Sequence, residues 1–74
     1  MPNLAHKQAA YNGLIVGDLV YYYDSEIGCI AYYNPGIVTE LVDNLNANIV
    51  WVYWSKDQIF LSAYSRYLHC PRLE

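Results

Sequence analysis

Cys29, Cys70, His6 and His69 are the residues of this 74-residue chain whose types could hold a metal or attack a carbonyl. A metal needs paired ligands at a spacing that one element can present, such as C-x-x-C or H-x-x-x-H. Here His69 and Cys70 are adjacent while Cys29 and His6 are remote. A fold could bring Cys29 near Cys70, but packing as small hydrophobes explains both thiols better. A Cys–His nucleophile has its residue types and no recognisable signature around them. Asp18, Asp24, Glu26, Glu40, Asp43 and Asp57 could pair for acid–base work. Most of them fall at expected turns, where a carboxylate caps backbone N–H groups. No glycine-rich phosphate loop is present. The expectation is a non-enzyme with no catalytic residues, no metal and no cofactor.

Binding chemistry is better represented. Nine tyrosines, two tryptophans and one phenylalanine make 16% of the chain aromatic, and 55% of it is apolar. Only 15% is charged, against about 25% in an ordinary soluble domain. Small domains bury the smallest share of their surface, so some of these rings must face solvent, a ligand or another protein. The Tyr21–Tyr23 run, Tyr32, Tyr33, Trp51 and Tyr53 form the constellation that stands out. Tyrosine and tryptophan supply rigid amphipathic contact area and dominate interface hot spots. We therefore expect Tyr21, Tyr23, Tyr32, Tyr33, Trp51 and Tyr53 to bind a protein partner, with homo-oligomer formation as one outcome.

Charge argues against other partners. Four Lys and Arg face seven Asp and Glu, for a net charge of −3. Lys7, Lys56, Arg66 and Arg72 are scattered, so base stacking on the same rings would lack its basic groove, and nucleic acid is not expected. No apolar run approaches the roughly 18–20 residues of a membrane span, and no charged-then-apolar leader opens the chain. No membrane association is expected. The two cysteines make no disulfide framework, which favours a reducing compartment.

The elements that must position these rings are strands. Residues 1–12 differ from the rest, and residues 1–15 read as an N-terminal arm, with a short helix or single helical turn over Leu4–Ala10. Residues 16–74 read as one β domain. Asp18–Asp24 is rich in β-branched and aromatic residues and reads as a strand. Glu26–Asn34 is a loop with an extended stretch at Cys29–Tyr33. Asn34-Pro35-Gly36 is a turn in which Pro35 presets φ and Gly36 tolerates positive φ. Gly36–Asp43 is a second strand, Asn44–Asn46 a hairpin turn, and Ala47–Trp54 the strongest strand. Ser55–Asp57 turns into a short strand, Gln58–Leu61. Ser62–Ser65 reads as one tight 3-10 turn and Arg66–Cys70 as a closing strand stopped by Pro71.

Alternation puts Val50, Val52 and Trp54 on one face of their strand and Ile49, Trp51 and Tyr53 on the other. Val20 and Tyr22 likewise alternate with Leu19, Tyr21 and Tyr23. Both strands are apolar on both faces, which is unusual for an antiparallel strand with one wet side. An aromatic outer surface that meets a partner accounts for this. A tightly bent barrel with both faces partly covered by loops and the N-terminal arm is the alternative.

This element order resembles a small five-stranded Src-homology-3-like barrel, all-β. Val16-Gly17-Asp18-Leu19-Val20, Pro35-Gly36-Ile37-Val38-Thr39-Glu40-Leu41 and Val50-Trp51-Val52-Tyr53-Trp54 are similar to the first three strands of short barrel proteins from tailed bacteriophages of cyanobacteria and marine bacteria. Leu61–Leu68 is similar to their closing turn. The resemblance covers about Val16–His69 and implies a phage accessory protein, located in the virion or the host cytoplasm. It implies a structural component such as capsid cement, decoration or a neck or tail accessory. A soluble regulator that inhibits a host protein is the alternative, and a nucleic-acid-binding barrel a more distant one. Trp51 and Trp54 lie on opposite faces, unlike the adjacent tryptophans of the signalling domains, so proline-rich peptide binding does not carry over.

Overall fold

The computed structural model describes residues 11–42 and 48–74. The helix expected over Leu4–Ala10 and the hairpin turn expected at Asn44–Asn46 lie outside the described residues. Among those described, the chain runs β1 (Leu19–Asp24), β2 (Cys29–Ile30), β3 (Gly36–Leu41), β4 (Ile49–Trp54), β5 (Ile59–Tyr64) and β6 (Leu68–His69). A 3-10 turn, Ser65–Tyr67, joins β5 to β6, and a second, Pro71–Leu73, follows. All pairings are antiparallel, in the order β2-β1-β3-β4-β5, with β6 returning to pair with β1. The fold is the expected small all-β barrel, curled as a half-barrel, with β2 an extra two-residue strand inside the first long loop.

Alternation on β4 organises the packing. Gly36, Trp54 and Ile59 form one inward row across β3, β4 and β5, followed by Val38, Val52 and Leu61, then Leu41, Val50 and Ala63. Val20, Val38, Val50 and Val52 are fully buried and meet Tyr11, Leu14, Trp54 and Cys70 in one core. β-Branched side chains suit this pleated interior because their stiff χ1 costs little to fix there. Tyr11 and Leu14, on the N-terminal side of the boundary expected at residue 16, belong to that core, and the Tyr11 hydroxyl donates to the Val42 carbonyl.

Between Val38 and Glu40 the β3–β4 register slips by one residue, leaving Thr39 as a bulge. The extra residue reverses the alternation beyond it. Glu40, which would otherwise follow Gly36 and Val38 inward, is exposed, and Leu41 packs against the core. Both tight hairpins close with the same four-residue loop. Gly28 N–H donates to the Asp24 carbonyl at 2.9 Å and Gln58 N–H to the Trp54 carbonyl at 2.8 Å. The last loop residue has positive φ in each case, 70° at Gly28 and 55° at Gln58.

Four expectations are corrected. Gly36 is not a positive-φ turn residue: it opens β3, and a Cβ there would lie 2.5 Å from Val52 Cγ1 and 2.6 Å from the Trp54 indole. The fourth long strand is Ile59–Tyr64 rather than Gln58–Leu61, because full-length pairing with β4 overrides the weak strand preference of Ser62 and Ala63. The 3-10 turn accordingly moves to Ser65–Tyr67. Cys29 is exposed rather than packed, and only Cys70 is buried.

Candidate functional site

The outer face of β3, β4 and β5 is nearly as apolar as the inner one. Ile37, Tyr53 and Phe60 stand in one cross-strand row, and the Tyr53 and Phe60 rings lie 4.9 Å apart. Sandwiched between two large neighbours, Tyr53 is half-buried. Trp51 faces Glu40 on one side and Ser62 on the other, neither of which covers an indole, and it stays 38% exposed. Ile49 and Tyr64 complete the face.

The barrel does not close on its other side. The inward row of β5 has no strand over it among the described residues, so Ile59 and Leu61 are 42% and 50% exposed although they share a face with the buried valines. A groove of about 350 Å³ follows this seam between β5 and the β1–β2 hairpin. Tyr22, Tyr33, Trp54 and Leu61 line it, and its charged groups are Asp24 and Asp57. Tyr22, which alternates with Val20, therefore looks into an open seam instead of a closed core.

The remaining rings form two clusters. Tyr21 and Tyr32 meet edge-on at 5.0 Å, and His69 lies 6.5 Å and 5.8 Å from them. His69 Nδ1 is 3.0 Å from Glu74 Oε1. Tyr67 lies 6.3 Å from Tyr22 and 6.1 Å from Tyr64, with the Arg66 guanidinium over the Tyr64 and Tyr67 rings at 4.8 and 4.9 Å. Lys56 sits 4.6 Å over the Tyr33 ring. Arg72 binds Asp18 through two nitrogens at 2.7 and 2.8 Å and donates to the Gly13 carbonyl at 2.6 Å. The described cations thus lie on aromatic faces or an ion pair, and make no basic stripe.

The Asp18 carboxylate is held by several partners. Arg72 hydrogen bonds, the Ile15 N–H at 2.9 Å and the guanidinium charge hold its pKa below the usual carboxylate range, against the opposing effect of burial. It orders the entry to β1. Among the described residues no group of three or more His, Cys, Asp or Glu gathers, and no helix is long and apolar enough to cross a membrane.

The six expected partner-binding residues are not one surface. Trp51 and Tyr53 share the outer sheet face, Tyr21 and Tyr32 the His69 cluster, and Tyr33 the seam. Tyr23 pairs with Ile30 and is exposed. Tyr22, Phe60, Leu61, Tyr64 and Tyr67 complete these surfaces and were not among the six. Phe60 lies within the expected strand Gln58–Leu61, and pairing that strand with Ala47–Trp54 would have revealed it as the partner of Tyr53; a longer strand would have revealed Tyr64 as the partner of Ile49. Comparison with protein-family models, with curated proteins and with solved structures gives no match.

Proposed function

We propose that this chain is a non-enzymatic assembly module that binds protein through its apolar outer face and open seam. One observation carries the reading: β5 leaves apolar side chains exposed on both of its faces, Ile59 and Leu61 inward and Phe60 and Tyr64 outward. A monomer rarely leaves a contiguous apolar surface of this kind without a use for it. A virion component of a tailed phage, such as cement, decoration or a neck or tail accessory, is the setting we propose, and it is supported by the motif resemblance alone.

The test is the absolute mass of the purified protein by light scattering during gel filtration, at several concentrations. A mass above the 8.5 kDa monomer is expected. Trp51→Arg should reduce it about tenfold or more in affinity, the scale of an interface aromatic, with an unchanged far-ultraviolet spectrum. A monomer at every concentration overturns self-assembly. A Trp51→Arg variant that unfolds shows instead that the indole serves the fold.

A further inference from the structure

We propose that the free edge of β5 is a docking surface for a second copy of this chain, the two strands pairing antiparallel about a two-fold axis at Ser62. The inference rests on the assembly reading above and names its partner and contact.

Edge strands present unpaired N–H and C=O groups, and proteins usually guard them by shortness, charge or proline. The β2 end of the sheet is guarded, being two residues long. The β5 end is six residues, Ile-Phe-Leu-Ser-Ala-Tyr, with no charge and no proline. Among the described residues nothing pairs with its outer edge.

Hydrogen-bond phase shows which residues are available. Ser65 N–H donates to the Asn48 carbonyl at 2.7 Å, in register with the β4–β5 ladder. Alternate residues bond across an antiparallel pair, so Ile59, Leu61 and Ala63 address β4 while Phe60, Ser62 and Tyr64 turn their backbone groups to the open edge. A two-fold axis normal to the sheet requires one residue to face itself. Only Ser62 at the centre uses all three edge-facing residues on both copies. In that register Phe60 faces Tyr64 of the second copy, an aromatic cross-strand pair on the outer face. Leu61 faces Ala63 on the inner side and loses its exposure.

The charges at the strand ends agree. Asp57 precedes β5 and Arg66 follows it, and among the described residues neither has an ion-pair partner. Antiparallel pairing about Ser62 brings the Arg66 end of each strand to the Asp57 end of the other, so opposite charges meet at both ends of the contact. β5 itself carries no charge, so the pairing brings no like charges into opposition.

The experiment uses three variants of the whole chain. Ser62→Pro removes an edge-facing N–H without touching a β4 ladder bond, a position where a strand accepts proline. By light scattering it should weaken the dimer about tenfold or more. Ser62→Cys in a Cys29→Ser background should cross-link to a covalent dimer with a short bismaleimide, whereas Phe60→Cys in the same background should not, because position 60 faces position 64. The cross-linking arm stands even if the proline variant fails to fold. An oligomer in which Ser62→Cys gives no cross-link overturns the β5 contact and leaves the assembly reading intact. A wild-type monomer at every concentration overturns both.

Discussion

Asp18 and Arg72 are 54 positions apart and share two hydrogen bonds. The Asp18 side chain is buried while Arg72 is half exposed, so removing the guanidinium leaves a buried charge with the Ile15 N–H and the Cys70 thiol as its remaining partners. Arg72→Met should lower the midpoint of urea unfolding. The pH dependence has a definite sign. Folding lowers the Asp18 pKa, so the unfolded chain binds this proton more readily. The stability is present above the unfolded value of about 3.9 and is lost as pH falls through the lower folded one. Asp18→Asn should therefore flatten that part of the acid unfolding curve, and a variant that keeps the wild-type slope would show that other carboxylates set it. The turn-capping role of Asp18 was legible, since Val16-Gly17-Asp18 leads directly into a strand. Its partner was not, because nothing in the sequence ties Arg72 to a residue so far away. Gly36 was read as a turn residue that tolerates positive φ, and a turn signal cannot show that an indole will lie where its side chain would be.

Strands were legible where β-branched and aromatic residues are continuous, as in β1, β3 and β4, and the inner row Val50, Val52, Trp54 follows from alternation alone. The end of β5 was obscured because Ser62-Ala63 has weak intrinsic preference and is held by its neighbour. The Thr39 bulge was not read, although Thr39 and Glu40 are consecutive polar residues between Val38 and Leu41, a break in alternation that a bulge accounts for. The bulge decides which of Glu40 and Leu41 is buried. Deleting Thr39 removes the extra residue and sets Val38, Glu40 and Leu41 opposite Val52, Trp51 and Val50 in one unbroken register, with Glu40 still outward and Leu41 still inward. The variant should therefore fold with a stability close to wild type, losing the Thr39 hydroxyl bond to the Trp51 carbonyl. Thermal unfolding of the deletion variant measures this, and a melting temperature far below wild type would show that the bend at the bulge is itself needed to close the core.

At the scale of the whole molecule, a 74-residue chain has little stability to spare. At about 0.05–0.15 kcal/mol per residue, the total is roughly 4–11 kcal/mol. Composition correctly indicates rings left on the surface, and it cannot say which, because the half-barrel opens its seam only once all strands are placed. The same small size makes the residues before β1 decisive. Leu14 is 1% exposed and Tyr11 5%, and both pack against the valines of β1, β3 and β4. Loss of a buried leucine costs about 2–5 kcal/mol and of a large aromatic about 3–5, and Tyr11 also hydrogen-bonds Val42 beyond the end of β3. A chain that starts at Val16 retains every strand among the described residues and loses both side chains. Their combined cost reaches the whole stability of the domain, so this fragment should show no cooperative thermal transition and should bind a hydrophobic dye. If it melts cooperatively near the temperature of the full chain, the barrel core closes without Tyr11 and Leu14, and the segment before Val16 is an appendage.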